Sequence, residues 1–292
     1  MRKITITFLQ FLLFFAVFSV FVNAIYLLVI IKTDWDFRKR IESLRFSSPD
    51  YDALILGSSL AQYGIDSELM TKHGLKSYNM ALVGNSVKTC YIQLQEYLEK
   101  YSQKPEYVIL VANSCLESFD QEGIHPVVEF TMKKQKIDFT DIPVSKFRWQ
   151  GTELFKKALS KEYRSGYLSF GQLRRSKIVE DYSEHDYLHM NYHKYEKAIW
   201  IEKIAASCAE EQIKLVLIEI PGVNETQNSD SIGPYIVSFK NKNDAILYNF
   251  NSIEFCRFIE PTLDWIGLSH FNEKGAAKFT VEMLEFIDFK LN

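Results

Sequence analysis

Three hydrophobic patterns succeed one another along the chain. Residues 4–31 form an uncharged run rich in Phe, Leu, Val and Ile, which as a helix reaches ~42 Å and so crosses a bilayer. A polar helix over about 35–45 follows. Beyond residue 50, short solid apolar runs alternate with amphipathic stretches. The runs at 52–56, 76–81, 107–112, 213–220 and 253–259 predict buried strands, and 86–101, 195–211 and 272–289 predict helices. Solid apolar strands separated by helices imply a parallel sheet covered on both faces. The expected fold is α/β: a three-layer α/β/α sandwich with a five-stranded parallel sheet, behind one N-terminal transmembrane helix.

This pattern divides the 292 residues into a membrane anchor (1–32), a juxtamembrane segment (33–50) and one large domain (51–292) with an insertion at about 114–194. A cleaved signal peptide is the rival reading of the first segment, since Met1-Arg2-Lys3 is basic and Val22-Asn23-Ala24 resembles a cleavage site. The apolar run continues past Ala24, which favours an uncleaved anchor. Arg2 and Lys3 face Lys32, Arg38, Lys39 and Arg40 across the span, so charge alone leaves the orientation open.

A net charge of −3, with no block of like charges, gives no footprint for nucleic acid. Within the insertion, Lys133-Lys134-Gln135-Lys136 and Arg174-Arg175 read as solvated faces, while an insertion leaving the carboxyl edge of the sheet is placed to wall a substrate site. Cys90, Cys115, Cys208 and Cys256 form no Cys-x-x-Cys pair and read as buried free thiols, with a disulfide as the alternative.

Candidate chemistry lies in two distant segments. Leu54-Ile55-Leu56-Gly57-Ser58-Ser59 presents a serine at the end of a buried strand, and Ser269-His270-Phe271-Asn272 offers a histidine just before a capped helix. Each alone reads as a turn and a hydrogen-bonded histidine; together they supply a nucleophile and a base.

These blocks resemble the SGNH (GDSL-type) hydrolase superfamily. The strand followed by Gly57-Ser58-Ser59 is similar to the family's Gly-Asp-Ser block, making Ser59 the counterpart of its nucleophile, with Ser58 in place of the aspartate. Asn79-Met80-Ala81-Leu82-Val83-Gly84-Asn85-Ser86 resembles the second block, with Gly84 as a backbone oxyanion donor. Val111-Ala112-Asn113-Ser114 keeps the asparagine of the third, Asn113, as a side-chain donor. The last block, Asp-x-x-His, ends at His270, but Gly267 stands where the family places its aspartate. Asp264 supplies the carboxylate if the intervening loop turns back; otherwise a backbone carbonyl orients His270, or the site is degenerate.

The resemblance implies a flavodoxin-like sandwich and covalent acyl transfer: His270 takes the Ser59 proton, Ser59 attacks an ester, and the Ser59 and Gly84 N–H groups with the Asn113 amide hold the oxyanion. It implies an esterase or O-acyltransferase acting on acylated glycans of the cell envelope or exported polysaccharide. Such a protein sits in the membrane through residues 4–31, works outside the cytoplasm and partners a membrane-bound O-acyltransferase, with no cofactor. A catalytically degenerate scaffold in such a complex is the alternative. His185, His189 and His193 recur at helical spacing, as metal ligands do, but lack a supporting Glu and read better as a polar surface helix.

Overall fold

The computed structural model describes residues 2–33, 50–113, 123–125, 128, 167–176, 198–221, 231–260, 263–266, 270–287 and 289. The chain divides into two compact units, 1–42 with 129–164 and 43–128 with 165–292. In the first, the described residues are helix α1 (Arg2–Thr33). Its stretch Ile4–Tyr26 is long and apolar enough to cross a membrane, and none of it is buried.

The second unit is a mixed α/β body. In chain order its elements are β1 (Ala53–Leu56), α2 (Ser59–Gly64), α3 (Ser67–Lys72), β2 (Ser77–Asn79), α4 (Val87–Lys100), β3 (Tyr107–Val111), β4 (Tyr167–Ser169) and β5 (Gln172–Arg174). There follow α5 (Ile199–Glu210), β6 (Lys214–Glu219), β7 (Tyr235–Ser238), β8 (Asp244–Asn249), α6 (Ile253–Cys256) and α7 (Glu273–Phe286). Six strands make one sheet in the order β2-β1-β3-β6-β8-β7, parallel except at the β7 edge, and β4–β5 is a separate hairpin. The chain steps from β1 outward to β2 and then back across to β3, so the order reverses beside β1. In parallel sheets that point opens a crevice at the carboxyl ends of the strands.

Alternation of side chains feeds two apolar clusters. Leu54, Leu56, Val108, Leu110, Leu215 and Leu217 pack with Val87, Leu94 and Tyr97 of α4 and Ile201 and Ile204 of α5. Ala53, Ile55, Ile109, Val111, Val216 and Ile218 pack with Ala61 of α2, Met70 of α3 and Ala276, Phe279 and Met283 of α7. Each large apolar side chain so buried contributes about 1.5–3 kcal/mol, which is why these strands read as solid runs. Cys90 and Cys208 are buried and neither is in a disulfide, and burial pushes the Cys208 thiol up to about 12.

One predicted strand is corrected. Within 253–259 the chain forms α6, because the Ser252 hydroxyl accepts the Phe255 N–H and caps a helix there. The strand beside β6 is instead β8, and β7 adds a sixth, antiparallel edge. A tight Asn241-Lys242-Asn243 connection makes that hairpin: Asn241 Oδ1 accepts the Asn243 N–H and Lys242 adopts φ 62°.

Candidate functional site

The buried run of β1 ends at Gly57-Ser58, and Ser59 opens α2 half-buried at the carboxyl edge of the sheet. Two amide side chains fix that short helix. Asn79, fully buried at the end of β2, donates from Nδ2 to the Ala61 carbonyl (2.8 Å) and the Ile65 carbonyl (3.2 Å). Gln62 Oε1 accepts the Val83 N–H at 3.1 Å, tying α2 to the loop after β2. Among the described residues the Ser59 hydroxyl makes no hydrogen bond.

His270 stands on a loop closed across its base. Trp265 and Phe271 form an antiparallel bridge, the Ile266 N–H donates to the His270 carbonyl (2.8 Å), and the Asn272 N–H donates to the Asp264 carbonyl (2.9 Å). Asn272 then caps α7, its Oδ1 accepting the Lys274 and Gly275 N–H groups. This orders the imidazole just ahead of a long helix, as the sequence predicts. The ring meets Tyr63 edge-on, centroids 5.3 Å apart at 88°. Tyr63 lies four residues after Ser59, so α2 carries the serine and the imidazole contact on one face. Burial, and then the charge of Arg175, lower the His270 pKa below the ordinary 6.5. The imidazole is therefore neutral at pH 7, the state a general base requires.

The loop does turn back at Asp264, but through its backbone. The carboxylate is 1% exposed, and its Oδ2 accepts the Glu260 N–H (2.7 Å) and Lys278 Nζ (2.8 Å). Its Oδ1 is buried with no hydrogen-bond partner among the described residues. Gly267 and Ser114 lie outside the described residues, as do His185, His189 and His193. Among the described residues no cluster of His, Cys, Asp and Glu could hold a metal.

Gly84 occupies the exposed tip of a turn over Leu82 to Asn85, closed by the Asn85 N–H on the Leu82 carbonyl (3.0 Å). Its φ of +77° suits the third position of a type II turn, where glycine avoids the Cβ clash. Among the described residues its N–H has no acceptor. The turn is bound to the nucleophile strand, since Leu82 N–H and Asn85 Nδ2 both donate to the Gly57 carbonyl, at 3.4 and 3.2 Å. Asn113, just past β3, pairs its amide with the backbone of Ile220: Nδ2 donates to the carbonyl (2.6 Å) and Oδ1 accepts the N–H (3.1 Å). One Nδ2 hydrogen is thus structural, and an amide carries a second.

Sequence patterns leave out three contributors. Tyr63 and Asn85 sit within the relevant segments but carry no motif of their own. The third is the β4–β5 hairpin. Arg174 is no solvated residue: its guanidinium pairs with Asp66 (2.6 Å) and Glu68 (3.1 Å), and its side chain is 11% exposed. Arg175 next to it lies over the Tyr63 ring, 5.0 Å from the centroid. No local signal in the hairpin announces these contacts, because their partners lie about a hundred residues away in sequence.

The chain is thus an α/β protein in which Ser59 follows β1, Gly84 lies on the turn after β2, Asn113 follows β3, and the His270 ring meets Tyr63 of the helix that Ser59 opens. No family model matches it, and no curated protein matches it. Among solved structures it is similar to one described as "a putative platelet activating factor from Streptococcus pneumonia", at 11% identity and a TM-score of 0.38 over 92% of this chain and 98% of that one. The functional assignment therefore rests on this chain's own residues.

Proposed function

We propose that this protein is a membrane-tethered serine hydrolase or O-acyltransferase that works through a Ser59 acyl-enzyme. The observation that carries the reading is the Tyr63 contact, which draws the neutral His270 ring onto the helix that begins with Ser59. His270 removes the Ser59 proton as Oγ attacks an ester carbonyl. The tetrahedral oxyanion takes hydrogen bonds from the Ser59 and Gly84 N–H groups and the second Nδ2 hydrogen of Asn113. Collapse expels the alcohol, which leaves with the proton from His270, and a water or sugar hydroxyl then attacks the acyl-serine by the reverse path.

Asp264 serves as a positioning residue in this scheme, its backbone closing the loop that presents His270. The four blocks shared with SGNH hydrolases and the two apolar clusters of the sheet support a three-layer sandwich of that superfamily. An N-terminal apolar helix of bilayer length supports a site facing esters of envelope or exported glycans outside the cytoplasm. Partnership with a membrane-bound O-acyltransferase follows from the same resemblance.

A binding domain without turnover is the second reading. It is favoured by the Asp264 carboxylate being engaged by Lys278. Turnover of O-acetylated glycan by the full-length chain in detergent separates the two: acetate release that vanishes in Ser59→Ala supports the enzyme, and glycan binding without release supports the scaffold.

A further inference from the structure

We propose that the buried amide pair of Asn85 and Gln93 is a positioning element of the oxyanion hole, holding the turn that bears the Gly84 N–H in register with the Ser59 N–H so that both meet one substrate oxygen. The assignment deepens the serine-hydrolase reading and rests on it.

Three amide side chains hold the Gly84 turn, and all are buried: Gln62 and Asn85 at 1% exposure and Gln93 at 0%. Amides are uncommon in such places, because burying one is costly unless its polar atoms are paired. Gln62 of α2 holds the residue before Gly84, its Oε1 accepting the Val83 N–H at 3.1 Å. Asn85 follows Gly84, and its orientation is set by a chain of contacts that starts at the backbone. The Met80 carbonyl accepts Gln93 Nε2 (2.8 Å), which turns Gln93 Oε1 toward Asn85. Asn85 must therefore present Nδ2. Its two hydrogens serve Gln93 Oε1 (2.8 Å) and the Gly57 carbonyl (3.2 Å), with the Cys90 sulfur within reach at 3.4 Å. Gly57 lies two residues before Ser59. The pair thus joins the Gly84 turn both to the strand that leads to the nucleophile and to α4.

The same orientation leaves Asn85 Oδ1 buried with no hydrogen-bond partner among the described residues. An unmade bond of this kind is destabilising, and an apolar side chain at 85 would remove it. An apolar side chain would not tie the turn to Gly57, however. The backbone does so only at longer range, the Leu82 N–H reaching the same carbonyl at 3.4 Å. Packing does not hold Gly84 either, since nothing lies within 4 Å of where its Cβ would stand. An oxyanion donor is effective only when it is fixed in advance at about 2.7–3.1 Å from the developing charge. The amide pair supplies that constraint without touching substrate.

The test uses the full-length chain in detergent micelles with 4-nitrophenyl butyrate as substrate. The inhibitor is 1,1,1-trifluoropentan-2-one, to whose carbonyl Ser59 adds reversibly, placing an oxyanion in the hole. Asn85→Asp keeps the shape but turns carboxylate oxygens toward the Gly57 carbonyl and Gln93 Oε1, and Gln93→Met removes the partner of Asn85 with little change of volume. Each variant is expected to lower kcat about 30-fold or more and to raise the inhibitor Ki by the same factor, with KM within about threefold of wild type. Thr280→Val, which deletes the buried acceptor of the Asp66 N–H on α7, is the control for lost stability. It lowers the melting temperature and leaves kcat and Ki near wild type. A folded Asn85→Asp or Gln93→Met chain with wild-type kcat and Ki, beside a wild type whose Ser59 is labelled by a fluorophosphonate, would overturn the positioning role and leave the hydrolase reading standing. An equal loss in Thr280→Val would do the same. A folded wild-type chain that does not label would overturn both.

Discussion

His270 is kept neutral by two causes of the same sign, burial and the neighbouring Arg175 charge. Because its folded-state pKa lies below the ordinary 6.5, the acid limb of any Ser59-dependent rate has its midpoint below that value. The rate of serine modification against pH reads this directly; a limb at or above 6.5 contradicts it. The linkage for stability runs the same way. Below the ordinary value the unfolded chain binds the proton that folded His270 resists, so this contribution is present at neutral pH and declines as pH falls. Asn113 carries two duties. Asn113→Ala slows turnover ~100-fold if its second Nδ2 hydrogen meets the oxyanion, and it also lowers stability by about 1–2 kcal/mol because both hydrogen bonds to Ile220 are lost. Ester turnover and urea denaturation on the same variant separate the effects. From sequence alone Asn113 reads only as a donor; its bracket across β3 and β6 depends on a strand about a hundred residues away. Ser59, Gly84 and His270 stand out in the sequence because each sits in a local turn or beside a helix cap, whereas the contacts of Tyr63 with His270 and Arg175 form only when separate segments meet.

At the scale of elements, what was legible follows from local chemistry. The strands β1, β3 and β6 are solid apolar runs, and Ser86 and Asn272 cap α4 and α7 where the pattern placed helix starts. The misplaced strand has an equally local cause. Ile253, Phe255 and Ile259 suggest a strand by residue type, but Ser252 supplies the cap that starts a helix. Asp244–Asn249 begins with exposed and buried residues in alternation, the signature of a strand half-covered near a sheet edge. The β4–β5 hairpin escapes such reasoning because it is a separate two-stranded ribbon whose anchors are all long-range. Its turn is also tight. At Gly171, with φ +86°, an added Cβ would lie 1.8 Å from the Asn79 carbonyl oxygen. Gly171→Ala must therefore break the Phe170 contact with Asn79, and it should lift the hairpin from α2, costing well over the ~1–2 kcal/mol of left-handed strain alone. Thermal denaturation and hydrogen exchange at residues 167–176 check this; an unchanged melting temperature contradicts it.

For the whole molecule, the helix α1 is long and apolar enough to cross a membrane. An uncleaved anchor predicts that the mature protein keeps residues 1–24 and stays with membranes after an alkaline carbonate wash. An intact mass beginning at Ile25 would show a signal peptide instead. The modest net charge offers no alternative attachment by bulk electrostatics. The proposed chemistry stands on an activated Ser59 served by His270. The most direct test is fluorophosphonate treatment of the full-length chain in detergent, read by intact mass and peptide mapping beside Ser59→Ala and His270→Ala. One adduct is expected, on Ser59, absent from both variants. A folded wild-type chain that takes no adduct, or an adduct that survives in Ser59→Ala, would contradict it.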